Sequence, residues 1–179
     1  QAGHPSTNDF NGRQQEGVSR YEHTMKGSKR CSASKAYLHP ALKRKNLITK
    51  LNITVNKVIF DGKKAIGIEY LRKGEKISSF ANKEIILSSG SLSSPMILMR
   101  SGIGDPKELT KFGIKTINKL EGVGKNLQDH IAISTQFESL KPVTLHRSAS
   151  KLRMGLSGLQ YLLLKKGDAA NPPCGAGAF

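Results

Sequence analysis

The segment with the clearest chemical meaning is an apolar run that ends in a glycine and the start of a helix. Residues 84–88 are continuously apolar at their centre, which predicts a strand buried on both faces. Ser89 and Gly90 follow, and residues 91–95 carry helix-start signals, a serine N-cap and a proline in the first turn. Helix N-termini present unpaired N–H groups and glycine permits close approach, so this unit is suited to hold a phosphate. The pattern alone is weak, because many strand–turn–helix units bind nothing.

Glycine pairs occur at three other places, but none completes a dinucleotide-binding fingerprint. Such a fingerprint needs three glycines, spaced Gly-x-Gly-x-x-Gly, between a strand and a helix. The pairs at residues 102–104, 122–124 and 175–177 lack the third glycine and do not lie between a strand and a helix. The sequence therefore contains no complete pyrophosphate-binding loop of the Rossmann type.

Histidine and cysteine do not form a metal-binding pattern. The two cysteines, Cys31 and Cys174, lie far apart and have no histidine at ligand spacing. They are typical of free thiols in a reducing compartment. His130 follows an acidic residue, but it also lacks partners at ligand spacing. No metal site is predicted.

The strong positive charge raises the question of a nucleic-acid partner. The net charge is +16, but the basic residues form short scattered groups that do not alternate with aromatic residues, which make up only 6% of the chain. No nucleic-acid-binding motif is present, so a solvated lysine-rich surface is the preferred interpretation. The sequence also has no apolar run of about 18 residues, so no transmembrane segment is predicted.

Periodicity and turn residues predict the elements that surround the glycine turn. A helix interrupted at Pro40 is predicted over residues 32–42. An antiparallel meander of three or more strands is predicted over about 47–83, because β-branched runs alternate with turns such as Asp61-Gly62. Four further elements are predicted, namely a helix over 106–112 capped by Asp105 and closed at Gly113, strands over 115–118 and 131–137, and an amphipathic helix over 149–164. The fold class is α/β with α+β elements.

Residues 90–104 resemble the second signature of the glucose–methanol–choline oxidoreductases over fifteen positions. Three more segments are similar to elements of that family: residues 11–17, residues 30–38, and the Gly-Val-Gly-Lys-Asn-Leu-Gln-Asp-His stretch at 122–130. The resemblance covers most of residues 8–179 and is nearest to the choline-dehydrogenase-like members. These motifs are long enough to be specific, unlike the isolated glycine pairs.

The resemblance implies the middle portion of a FAD-binding, Rossmann-like domain with its antiparallel meander, followed by the start of an α+β substrate domain. The first would span residues 1–130, with a return strand and helix at 84–102, and the second 131–179. In the family, a strand valine meets the adenine of FAD through its backbone, and Val55 is the matching residue. Ser89 and Gly90 lie where the family chain returns to the flavin-binding sheet. Val55, Ser89 and Gly90 are therefore the predicted cofactor-binding residues.

The resemblance places no catalytic residue in this chain. The family's glycine-rich FAD loop and its catalytic histidine belong to segments upstream and downstream, so we expect an incomplete chain with negligible activity and weak FAD affinity alone. The motif around His130 implies a structural role. Many choline-type relatives carry a glutamate where this chain has Gly175, and that carboxylate can face the cationic substrate. The implied substrate is therefore a primary alcohol, either choline-like or neutral.

Three other interpretations stay open at this stage. The chain could be a subunit that other chains complete, a non-catalytic protein that keeps the fold, or a basic nucleic-acid-binding domain. The resemblance implies a cytoplasmic or peripherally membrane-associated protein. Oligomeric state, electron acceptor and the choice between oxidase and dehydrogenase are not determined by these residues.

Overall fold

A computed structural model describes residues 3–141, 144, 149–170 and 175–179. The chain divides into two compact units, one formed by Gln1–Ile48 with Thr135–Phe179 and the other by Thr49–Ser134. The strands are β1 Val18–Arg20, β2 Met25–Lys26, β3 Lys29–Arg30, β4 Thr54–Asp61, β5 Lys64–Arg72, β6 Glu75–Phe80, β7 Ile103–Gly104, β8 Asn118–Lys119 and β9 Ala176–Ala178. The α-helices are α1 His39–Ala41, α2 Gly90–Arg100, α3 Pro106–Lys111 and α4 Lys151–Leu164.

The predicted meander is confirmed as a three-stranded antiparallel sheet in the order β4-β5-β6. Both connections are two-residue hairpins, with Asp61 opposite Lys64 and Arg72 opposite Glu75. Gly74, in the second hairpin, has a φ of +87°, a conformation that favours glycine in tight hairpin turns. The sheet begins at Thr54, so the first residues of the predicted 47–83 meander form no strand.

The core of the second unit includes the place where α2 packs against β4 of the meander. The buried apolar side chains of the described residues are Val58, Tyr70, Ile97 and Leu109. Ser101, at the end of α2, is buried with them and is the one buried polar side chain among the described residues. Its Oγ donates to the Ile97 carbonyl at 2.6 Å and accepts from the Val58 N–H at 2.8 Å, so a single hydroxyl joins the end of α2 to strand β4.

The segment after α2 is organised by Gly102 and Asp105. Gly102 has a φ of +85°, and a Cβ there would lie 2.5 Å from the Lys115 carbonyl oxygen, so the close packing of this crossing requires glycine. β7 and β8 then pair in parallel. The predicted helix over 106–112 is confirmed as α3, in which Asp105 Oδ1 accepts from the Lys107 N–H at 3.0 Å and Gly113 follows the last turn.

The first unit is held together by its two sequence-distant strands and by aromatic contacts. β1 pairs antiparallel with β9, and the Phe10 ring lies 5.4 Å from the Tyr21 ring and 5.0 Å from the Phe179 ring. Within the predicted 32–42 helix, a π-type turn, Ser34–Leu38, continues directly into α1. Pro40 does not interrupt this helix as predicted, because α1 begins at His39 and continues through Pro40 to Ala41.

Helix α4 confirms the predicted amphipathic helix but does not bury its leucine face in the described structure. Ser150 caps it, and Tyr161 Oη donates to the Ser28 carbonyl at 3.1 Å. The side that carries Ser157, Gly158 and Tyr161 is half-buried. The apolar face of this helix is a leucine stripe that lies on the other side and stays exposed: Leu152, Leu156, Leu159 and Leu163.

Several sequence predictions are wrong in detail. Residues 84–88 and 131–137 form no strand, because no described residue pairs with them, and Ile86 is 77% exposed. A strand needs a hydrogen-bonded neighbour, which an apolar run cannot supply by itself. Pro95 lies in the second turn of α2, not the first, and the strand predicted over 115–118 is limited to Asn118–Lys119.

We expect Ser101→Ala to lower the free energy of unfolding by about 1–3 kcal/mol, because the buried Val58 N–H would lose its acceptor. Urea unfolding of the purified protein measures this loss. Ser78→Ala is the matched control, since Ser78 is exposed on β6 and its loss should cost less than about 0.5 kcal/mol. Equal losses in the two variants would contradict a structural role for the Ser101 hydroxyl.

Candidate functional site

An open cleft of about 800 Å³ lies between α2 and the loop that follows β8. Both walls come from motif segments singled out in the sequence, one from the helix after Gly90 and one from residues 122–128. The cleft is lined by Ser91, Leu92, Ser94, Pro95, Met96, Leu98, Met99, Gly122, Val123, Gly124, Lys125, Asn126, Leu127 and Gln128. Both walls therefore contribute apolar as well as polar groups to the lining.

The turn that begins α2 leads directly into this cleft. The Ser89 N–H donates to Ser94 Oγ at 3.0 Å, which ties the residue before the helix to its second turn. Gly90 has a φ of +84° and no atom lies within 4 Å of the place where a Cβ would stand. Both residues are exposed. The turn thus offers an open approach to the positive end of an eleven-residue helix.

The opposite wall is packed against α2 at a glycine. Gly124 has a φ of +78°, and a Cβ there would lie 3.1 Å from Met99 Sδ. Asn126 also has a positive φ, +57°, a conformation that asparagine tolerates better than most residues. The loop follows α2 closely because glycine stands at the contact.

An ion pair anchors the same loop to the start of α3. Lys125 Nζ lies 3.0 Å from Asp105 Oδ2, while the other oxygen of Asp105 caps α3. The hydrogen bond from Lys125 lowers the pKa of Asp105 below its ordinary value of 3.8, and the hydrogen bond from the Lys107 N–H adds a smaller effect in the same direction. The hydrogen bond to Asp105 raises the pKa of Lys125 above its ordinary 10.5.

None of the three predicted cofactor-binding residues is among the lining residues of the cleft. Ser89 and Gly90 immediately precede the lining helix. Val55 lies on β4, half-buried and opposite Tyr70. The sequence prediction missed the second wall at residues 122–128 as a site. Its Gly-x-Gly spacing was the available signal, but the spacing does not reveal that the loop packs against Met99.

His130 is exposed, and its backbone N–H donates to Asp129 Oδ1 at 2.8 Å. Within the described ranges, no group of three histidine, cysteine, aspartate or glutamate side chains is arranged to hold a metal ion. Among the same residues, no helix is long and apolar enough to cross a membrane. Cys174 lies outside the described residues.

We expect Asp105→Asn to remove a pH-dependent stabilisation while keeping the helix cap, because the amide oxygen can still accept from the Lys107 N–H. A carboxylate with a lowered folded pKa stabilises the fold above its unfolded pKa, and this is lost as the pH falls through the folded value. The pKa of Lys125 is raised in the folded state, so its contribution to the stability of the fold is lost only when the pH rises through that folded-state pKa, above 10.5.

The difference in urea midpoint between wild type and Asp105→Asn should therefore be widest between these two pKa values and should close in acid. Glu108→Gln is the control, because its ion pair with Lys111, at 2.8 Å, is more exposed and should contribute little. A difference that stays constant from acid to neutral pH would show that the Asp105 charge does not stabilise the loop.

Comparison with known proteins gives this arrangement a family context. The family model described as GMC oxidoreductase matches residues 1–132. Human mitochondrial choline dehydrogenase is 44% identical over 179 residues, which is 100% of this chain and 30% of that protein. The oxygen-dependent choline dehydrogenase of Staphylococcus xylosus is 41% identical over the same length, 32% of its own chain. The chain thus spans about 30% of the length of these relatives.

Solved structures agree with the sequence comparison. A FAD-dependent oxidoreductase from Chaetomium thermophilum matches 89% of this chain and 29% of its own, with a TM-score of 0.79 and 27% identity. A fungal aryl-alcohol oxidase matches 97% of this chain and 31% of its own with a TM-score of 0.83, but at 22% identity it supports the fold alone. Because the family model covers well over half of the residues, the resemblance seen in the glycine-turn and loop motifs is confirmed, and the chain belongs to the GMC (glucose–methanol–choline) oxidoreductase family.

Proposed function

We propose that this chain forms part of a FAD-dependent oxidoreductase that oxidises the CH–OH group of a primary alcohol. The proposal is supported by the family match and by relatives that are named choline dehydrogenases. When bound, FAD supplies the hydride acceptor, which protein side chains cannot provide. The part of the enzyme represented here would contribute to the wall of the cofactor site, and no residue of this chain is assigned a catalytic role.

The observation that carries the proposal is the open N-terminus of α2 at Gly90. The space where a Cβ would stand is free at this glycine, so a ligand can approach the backbone closely. Helix N–H groups at such a turn suit an anionic or electron-rich part of a nucleotide. We assign Ser89 and Gly90 to contact with the cofactor, and Val55 to a backbone contact with its adenine.

The substrate class follows from the resemblance and from one departure from it. Gly175 is exposed immediately before β9 and carries no charge where many choline-type relatives have a carboxylate. A cationic substrate would therefore lack that partner here. A neutral primary alcohol is as well supported as a choline-like one, although the relatives named above are choline dehydrogenases.

The alternatives have less support. A non-catalytic protein that keeps the fold would bind no flavin in its full-length form. The hypothesis of a nucleic-acid-binding domain is supported only by the net charge of +16. A site completed by other chains would require a partner that carries the glycine-rich loop. The division into a partial FAD domain, 1–130, and a substrate domain, 131–179, stays a prediction, as does a cytoplasmic or peripheral membrane location.

We expect the full-length protein to purify with bound FAD, and we expect a primary alcohol to bleach the flavin absorbance under anaerobic conditions. Choline and benzyl alcohol, titrated in parallel, separate the cationic from the neutral substrate class. Flavin reduction should require a substrate that can give up hydride. A tertiary alcohol, which has no hydrogen on the carbinol carbon, is therefore the control. A full-length protein without flavin would contradict the proposal and favour the non-catalytic alternative.

We expect Gly90→Val to weaken FAD binding by roughly tenfold or more, because a side chain would fill the approach to the turn. Gly113→Val is the matched control. Gly113 also has a positive φ, +66°, and open space at its Cβ position, but it lies at the end of α3. Both substitutions should cost similar stability, about 1–2 kcal/mol, through backbone strain. Equal effects of the two variants on FAD affinity, measured by fluorescence titration, would argue against the site at Gly90.

A further inference from the structure

Strand β4 contains an irregularity directly beside Val55. Val55 lies opposite Tyr70, and Lys57 lies opposite Glu69, the residue just before Tyr70. Two residues of β4, Asn56 and Lys57, are thus accommodated against a single residue of β5. This is a β-bulge, which shifts the strand by one residue and changes the edge toward which the preceding backbone groups point.

The bulge determines toward which edge of the sheet the backbone N–H and C=O of Val55 point. β4 is an outer strand, and the Val58 N–H points away from β5, since it donates to Ser101 Oγ. In a regular strand, residues an odd number of positions apart direct their N–H and C=O groups to opposite edges. Val55 is three residues before Val58, so without a bulge its polar groups would face β5. The extra residue turns them to the outer edge, the same side as the Val58 N–H.

A side-chain hydrogen bond spans the bulge. Asn56 Nδ2 donates to Glu69 Oε1 at 2.5 Å, and both side chains are half-buried. The carboxylate acceptor makes this bond stronger than one between neutral groups. It joins the extra residue to the residue that it faces, so it holds the bulge in its register.

We infer that the Asn56–Glu69 pair is a positioning device for the adenine end of the cofactor: it maintains the bulge that presents the Val55 N–H and C=O at the outer edge of the sheet. Adenine carries an amino donor and ring-nitrogen acceptors, which one N–H and one C=O can match. Neither Asn56 nor Glu69 needs to touch the ligand. This inference rests on the proposed function and on its assignment of Val55 to adenine.

The test compares FAD with FMN, which has no adenine, in the full-length protein. Asn56→Ala should weaken FAD binding by at least about fivefold and leave FMN binding unchanged within about twofold, as measured by fluorescence titration of the apoprotein. Asn56→Asp should weaken FAD binding as much, because two carboxylates would then face each other. The double variant Asn56→Asp with Glu69→Gln restores a donor and an acceptor with their roles exchanged, and it should recover most of the FAD affinity.

Ser79→Ala is the matched control. It removes another side-chain hydrogen bond of the same sheet, from Lys50 Nζ at 3.3 Å, and should leave the ratio of FAD to FMN affinity unchanged. Equal losses for FAD and FMN in Asn56→Ala, or a double variant as weak as Asn56→Asp, would overturn the positioning role while leaving the flavoprotein assignment intact. A wild-type protein that binds neither flavin would instead remove the proposed function and this inference with it.

Discussion

The hydroxyl of Ser101 is the interaction on which the second unit depends. It donates a hydrogen bond to the Ile97 carbonyl near the end of α2 and accepts one from the Val58 N–H at the outer edge of β4. Because a buried polar group without a partner is costly, this hydroxyl couples the position of the helix to that of the sheet. The end of α2 and the outer edge of β4 are therefore joined by one shared contact.

The candidate cleft then follows from two glycines that combine a positive φ with a close contact. Gly102 allows the chain after α2 to cross the Lys115 backbone, and Gly124 allows the returning loop to pack against Met99. The Lys125–Asp105 ion pair fastens that loop to the capped start of α3. The motif residues thus act mainly through the backbone, which explains why side chains with catalytic chemistry are scarce around the cleft.

Apolar surface stays exposed in both units. Ile86, before the glycine turn, and the leucine stripe of α4 have no covering partner among the described residues. The half-buried side of α4 is instead the one with Ser157, Gly158 and Tyr161. Periodicity identified this helix correctly but did not determine what its leucines pack against, because a periodic stripe shows which residues share a face and not what lies against that face.

Local signals in the sequence determined the hairpins, the helix after Gly90, the helix between the Asp105 cap and Gly113, and the family. Turn chemistry, capping and long motifs all depend on residues that are near one another in the chain. The tertiary structure decided which apolar runs become strands: residues 84–88 and 131–137 find no partner among the described residues, whereas β1 and β9 pair across almost the whole chain. It also decided the second wall of the cleft and the bulge at Asn56. These features arise from contacts between distant residues, and residue type and spacing do not specify such contacts.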